Sequence, residues 1–112
     1  MNMTEKESHI YAYFRKKRNI KYAKEAELLA DAKVMLNMLG AVVVRQECTV
    51  RGISDLLVCY KGRFIAIELK THRGAATTHQ KQFIAAVQKA GGTAGICRNL
   101  EEIFELLFGD PE

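Results

Sequence analysis

Residues 55–70 read Asp-Leu-Leu-Val-Cys-Tyr-Lys-Gly-Arg-Phe-Ile-Ala-Ile-Glu-Leu-Lys, and this stretch decides the fold. DLLVCY (55–60) and FIAIELK (64–70) are rich in β-branched, aliphatic and aromatic residues. Lys61-Gly62-Arg63 separates them as a turn, so together they spell a β-hairpin. Phe64, Ile65, Ala66 and Ile67 are all apolar, and both faces of that strand are expected to be buried. Yet the strand ends in Glu68-Leu69-Lys70. Side chains alternate along a strand, so Glu68 and Lys70 share a face and Leu69 takes the other. Desolvating a carboxylate and an ammonium at the edge of a core is costly, and a metal ion or a phosphate would offset that cost.

A Glu-x-Lys tripeptide is common and by itself describes an exposed strand end. Asp55 changes that reading. A hairpin centred on Gly62 sets Asp55 opposite Leu69, level with Glu68 and Lys70. Two carboxylates and a lysine then converge. Mg²⁺ takes oxygen ligands and keeps several waters, so two carboxylates and a backbone carbonyl suffice for it, and the Leu69 carbonyl is the candidate third ligand.

Upstream, EAELLADAKVMLNML (25–39) repeats apolar residues at helical spacing and is stopped by Gly40. AVVVRQECTV (41–50) reads as a strand. Downstream, THRGAATT (71–78) is a loop and 78–90 a helix closed by Gly91-Gly92. TAGIC (93–97) is a fourth strand, and Asn99 with Glu102 caps a last helix. The order is α-β-β-β-α-β-α, an α/β fold with a mixed central sheet flanked by helices. Before it, residues 4–18 form a further helix with a capping box of Thr4 and Glu7. The run RKKRNIKYAK (15–24) is strongly basic. We therefore expect a basic extension over 1–24 and a single domain over 25–112.

The chain has 112 residues, 48% of them hydrophobic, and a formal net charge of +4, which suits one globular domain and permits a polyanionic partner. No apolar run nears the ~20 residues of a membrane span, and the N-terminal stretch lacks the apolar segment of a secretory signal. Cys48, Cys59 and Cys97 form no CxxC pair and read as reduced structural residues, so a cytosolic setting is expected.

Asp55, followed thirteen residues later by Glu68-Leu69-Lys70, resembles the signature of the PD-(D/E)XK nucleases. The stretches Gly52-Ile53-Ser54-Asp55-Leu56-Leu57-Val58 and Ile65-Ala66-Ile67-Glu68-Leu69-Lys70, then Gln80, Phe83 and Gly91-Gly92, are similar to the VRR-NUC branch of that superfamily. The likeness covers about residues 25–98. Ser54 departs from it, standing where the family usually has proline in the turn before the aspartate.

The resemblance implies a restriction-endonuclease-like αβββαβ core and a Mg²⁺- or Mn²⁺-dependent deoxyribonuclease that leaves a 5′-phosphate. It implies no small-molecule cofactor and no membrane. Asp55, Glu68 and the Leu69 carbonyl would hold the metal, and Lys70 would orient the attacking water. The family also directs a glutamate of its first helix at the metal. Glu25 and Glu27 compete for that place, and Glu25, on the core-facing side with Leu28, Leu29 and Ala32, is preferred. Gln80 matches the family glutamine, although Thr77 and Gln80 also make a capping box of their own.

This branch includes stand-alone nucleases of phages and bacteria and the nuclease module of a eukaryotic crosslink-repair enzyme. The likeness therefore implies work in a bacterial cytoplasm or a phage-infected host cell. Its stand-alone members resemble Holliday-junction resolvases, so a homodimer acting on four-way or other branched DNA is expected, with Tyr11, Phe14 or Leu107 lining the interface. Arg15, Lys16, Lys17 and Arg18 of the arm, with Arg45, Arg51, Arg63, Arg73 and Lys81 around the site, are the expected phosphate contacts. The competing reading is a DNA-binding subunit that keeps the fold without cutting.

Overall fold

The computed structural model describes residues 1–47 and 52–109. In chain order the elements are α1 (Glu5–Tyr13), α2 (Glu25–Leu39), β1 (Val42–Arg45), β2 (Leu56–Tyr60), β3 (Arg63–Leu69), α3 (Thr78–Lys89), β4 (Thr93–Cys97) and α4 (Leu100–Phe108). The expected αβββαβ order is present, with α1 before it and α4 after it. The four strands lie in the order β1-β2-β3-β4. β1, β2 and β3 are antiparallel neighbours, and β4 joins β3 in parallel after the α3 crossover. No described helix is long and apolar enough to cross a membrane.

The hairpin turn is tighter than the sequence suggested. Tyr60 pairs with Arg63, leaving a two-residue turn of Lys61 (φ 51°) and Gly62 (φ 74°). Positive φ at both central residues is the type I′ conformation, whose twist matches that of the flanking strands. Arg63 therefore belongs to β3, and the register moves by one residue. Leu56 pairs with Ile67, so Asp55, continuing β2, faces Glu68 rather than Leu69.

Leu56, Val58, Ile65, Ile67 and Leu69 face α2 and α4, where they pack with Leu28, Met35, Leu36, Ile103 and Phe104 in the main core. The opposite face is covered by α3 over β3 and β4 alone, where Ala66, Ala94 and Ile84 are buried. Its β1–β2 half is open. Val42 (66% exposed), Val44, Cys59 and Phe64 (48%) are bare there.

Residues 1–24 contribute to the main core. Ile10, Phe14 and Tyr22 are buried in it, and Tyr11 meets Phe104 edge-to-face at 4.9 Å. Helix α1 keeps the capping box of Thr4 and Glu7 but stops at Tyr13, short of the expected 4–18. Its last carbonyls are taken by arginine side chains, Ala12 by Arg15 and Tyr11 by Arg18, as basic residues commonly do at a helix C-terminus. Glu7 is buried and anchors α1 to the hairpin, accepting from the Tyr60 hydroxyl and pairing with Lys61 Nζ at 2.7 Å. Burial alone would raise its pKa, but Lys61, Tyr60 and Thr4 together lower it to about 2.

Phe14 and Leu107 are 5% and 2% exposed, and Tyr11 is half-buried. The expectation of a subunit interface at Phe14 or Leu107 is therefore corrected, because the helices that carry them close over the sheet and bury them, while Tyr11 is engaged with Phe104 and Glu101.

Candidate active site

Strand β3 carries Glu68 from the covered centre of the sheet toward its end. The side chain is 1% exposed. Its Oε2 accepts from Gln80 Nε2 at 3.0 Å and stands 3.5 Å from Lys70 Nζ. Its Oε1 is buried with no hydrogen-bond partner. Burial pushes the carboxyl up to about 8. The neighbouring Asp55 adds to the rise and Lys70 opposes it.

Asp55 is held where β2 begins. Antiparallel pairing with β2 ends at Ile67, so the Leu69 N–H has no strand partner and donates instead to Asp55 Oδ2 at 2.8 Å. In an extended strand the N–H and C=O of one residue point to the same edge, so the Leu69 carbonyl is on the Asp55 side. Ser54 is wholly buried, with its Oγ unpartnered.

Helix α2 supplies Glu25 in its first turn, where the dipole favours an acid. Glu25 is exposed rather than core-facing, yet partial desolvation of its carboxyl raises its pKa, the Asp55 carboxylate raises it further, and Lys70 and Arg45 act against the rise. Glu25 thus borders Asp55. Glu27 instead lies with Asp31 beside Tyr22, adding to the raised pKa of that phenol.

Helix α3 supplies Gln80, and its two sequence readings are both realised. Oε1 accepts the Thr77 N–H at 2.9 Å, completing the capping box, while Nε2 reaches Glu68. Gly52 makes this meeting possible. It adopts φ 84°, and a Cβ there would lie 2.5 Å from the His79 carbonyl oxygen. A cleft of about 300 Å³ is lined by Gly52, Thr77, His79 and Gln80, the last of which bonds Glu68.

The basic residues divide. Lys16, Lys17, Arg45, Arg73 and Lys81 are exposed, as is Arg15. Lys17 is 3.5 Å from Asp31, and Arg45 is 3.3 Å from Glu47. Arg18 is a correction, because its guanidinium lies 3.6 Å over the Tyr11 ring and pairs with Glu101 at 3.3 Å, committed to holding α1 against α4. Arg63 is another. It sits at the far end of β3, roughly 17 Å from Glu68 at strand rise, and donates to the Leu107 carbonyl. The tight turn placed it there. Arg51 and Cys48 lie outside the described residues. His72 donates its N–H to the Tyr22 carbonyl at 3.1 Å, with Nδ1 3.0 Å from the same oxygen. That tie between the chain leaving Lys70 and the chain approaching Glu25 has no signal in the sequence.

The arrangement suits a cation. A buried carboxylate oxygen with no partner costs about 1–3 kcal/mol, and two adjacent carboxylates oppose each other's ionisation. Among the described residues no three His, Cys, Asp or Glu side chains gather closely enough to hold a metal by themselves. The donors that fit are the Asp55–Glu68 pair and the Leu69 carbonyl, with water completing a hard-cation shell.

This mixed sheet, with two carboxylates and a lysine at the junction of β2 and β3, has the restriction-endonuclease-like architecture. Among solved structures the chain is similar to a VRR_NUC domain with a TM-score of 0.65, at 24% identity, over 77% of this chain and 96% of that one. The fold is that of the VRR_NUC domains. No sequence-family model and no curated protein matches the chain.

Proposed function

We propose that this protein is a VRR-NUC-type nuclease, a divalent-cation-dependent deoxyribonuclease that hydrolyses phosphodiester bonds. The observation that carries the proposal is the buried, unpartnered Glu68 Oε1 beside Asp55. A buried carboxylate oxygen without a partner, beside a second carboxylate, carries a desolvation and repulsion cost that a bound cation would offset. Asp55, Glu68 and the Leu69 carbonyl would hold the cation. A Mg²⁺ or Mn²⁺ held by these groups would supply the positive charge needed to polarise a phosphoryl oxygen and to lower the pKa of an attacking water.

The chain's own groups do the rest. Lys70 Nζ offers donors to the water and to the charge that builds on the phosphate. Glu25 would hold a water of the cation's shell or a second ion at the outer edge of the site. Gln80 orients Glu68. Arg73 and Lys81 are exposed and would meet flanking phosphates, as would Arg45 on leaving its exposed pair with Glu47, and Lys16 and Lys17 offer a second contact along the arm. The products expected from the resemblance to the PD-(D/E)XK nucleases are a 5′-phosphate and a 3′-hydroxyl.

We further propose branched DNA as substrate and a homodimer as the acting form, in a bacterial or phage-infected cytoplasm. With Phe14 and Leu107 buried, the open β1–β2 face of Val42, Val44, Cys59 and Phe64 is where two copies would meet.

The test is incubation with labelled four-way junction, flap, single-stranded and linear duplex DNA in Mg²⁺, Mn²⁺ or EDTA, beside Lys70→Ala. Metal-dependent cutting lost in the variant supports the nuclease, and paired symmetric nicks in the junction support the dimer. Binding without any cutting would sink the enzyme and leave a DNA-binding subunit.

A further inference from the structure

Lys70 is the residue the proposed chemistry needs most accurately placed, yet its partner does little to place it. The Lys70 Nζ to Glu68 Oε2 distance is 3.5 Å, beyond the range of a good N–H···O bond. A lysine side chain has up to about 2 kcal/mol of rotamer entropy to lose, so something else must order it. Its side chain is only 15% exposed.

The chain beyond Lys70 shows what does. The Lys70 N–H donates to the Cys97 carbonyl at 3.1 Å. Thr71–Gly74 then turns back on itself, with the Gly74 N–H donating to the Thr71 carbonyl at 3.1 Å. The turn lies alongside the lysine stem, since a Cβ added to Gly74 would come into ordinary contact with Lys70 Cδ at 3.5 Å and lie 3.2 Å from Thr71 Oγ1. Arg98, next after Cys97, pins it. Arg98 Nη1 donates to the Thr71 carbonyl at 2.7 Å and to the Gly74 carbonyl at 2.5 Å. Arg98 is itself fixed, because its N–H donates to Glu102 Oε1 at 2.7 Å, and the Glu102 N–H is capped by Asn99 at 2.9 Å.

We infer that Arg98 is a positioning residue for Lys70: by holding the carbonyls of Thr71 and Gly74, it folds the turn over the lysine stem and keeps Nζ against Glu68. Arg98 touches neither carboxylate and works through the turn. The inference deepens the nuclease proposal and rests on it for its catalytic consequence, but the clamp is measurable without catalysis.

The experiment labels lysine with ¹³C at the ε-carbon and measures the order of the Lys70 ε-methylene by NMR relaxation, with Lys16 and Lys21 as exposed references. In the wild type, Lys70 is more ordered than the references. In Arg98→Met it falls to their level, while Arg98→Lys, which keeps a donor nitrogen, restores part of the order. Arg98→Gln, whose side chain is too short to reach the Thr71 and Gly74 carbonyls, loosens Lys70 as well and serves if Arg98→Met does not fold. In parallel, kcat for DNA cleavage falls about ten- to a hundredfold in Arg98→Met, with KM and metal-free DNA affinity unchanged, as for a small displacement of a catalytic group. Full Lys70 order in the folded Arg98→Met variant, or in Arg98→Gln should Arg98→Met not fold, would overturn the clamp even in an active enzyme. A wild type that cuts no DNA would defeat the nuclease reading while the relaxation data still decide the clamp.

Discussion

The Gln80 amide joins a helix cap to a buried carboxylate. Its oxygen accepts from the Thr77 N–H at 2.9 Å and its nitrogen donates to Glu68 Oε2 at 3.0 Å. The cap fixes which end of the amide faces Glu68, because only the oxygen can accept from an N–H. Gln80→Ala should cost about 1 kcal/mol of stability from the lost cap. Gln80→Glu keeps a cap acceptor but turns a second carboxylate toward Glu68. In a pH series of thermal melts, Gln80→Glu should lose more stability than Gln80→Ala at pH 8, with the order reversing at pH 5. Equal losses at both pH values would show that the amide does not act on Glu68.

Glu68 sets a pH dependence of its own. Its folded pKa of about 8 lies above the ordinary carboxylate value, so between roughly pH 4.5 and 8 the folded state holds a proton that the unfolded state has released. Stability from this group is full below about pH 4.5 and is lost as pH rises through 8. Without added metal, Glu68→Gln should be more stable than the wild type at pH 8 by roughly 1–3 kcal/mol, the scale of an unsatisfied buried group. The difference should shrink toward pH 5. Denaturant midpoints at the two pH values check this.

A divalent cation should relieve the same cost. A ligand at a hundred times its Kd adds about 2.7 kcal/mol to folding stability. Millimolar Mn²⁺ or Mg²⁺ should therefore raise Tm in the wild type and far less in Asp55→Asn. A rise of equal size in both would place the cation elsewhere.

Glu7 behaves in the opposite sense. Its folded pKa of about 2 is depressed, so its contribution is present above about pH 4.5 and is lost as pH falls through 2. Glu7→Gln should destabilise the protein at pH 7 and flatten its acid unfolding curve. Unchanged acid sensitivity would show that the Lys61–Tyr60 anchor of α1 contributes nothing.

The open sheet face gives a test of assembly. Phe64 is 48% exposed beside Val42 and Val44. Phe64→Glu should convert a dimer to monomers in sedimentation equilibrium and leave the fold intact. A wild type that sediments as a monomer at high concentration would remove the homodimer.

The element order was legible from residues 25–108 alone, because period-two and period-3.6 apolar patterns separate strands from helices, and Gly40, Gly91 and Asn99 mark ends that local backbone chemistry enforces. The convergence of Asp55, Glu68 and Lys70 was legible too, since a hairpin and strand alternation bring them together whatever the rest of the chain does. The register was not. Whether Arg63 belonged to the turn or to β3 depended on Lys61 adopting a positive φ, which few non-glycine residues do. That one-residue difference set Asp55 opposite Glu68 and carried Arg63 to the far end of the sheet.

The sequence by itself determined the alternation of elements and the residue types at the end of β3, because both follow from side-chain periodicity along a single strand or helix. Only the tertiary structure decided which acid of α2 borders Asp55, that the Gln80 amide serves cap and carboxylate at once, and that Arg18 is spent on Tyr11 and Glu101. It also decided that Phe14 and Leu107 are interior. Those outcomes depend on how helices separated by many residues close over the two faces of the sheet, and burial, not composition, then assigns each side chain its partner.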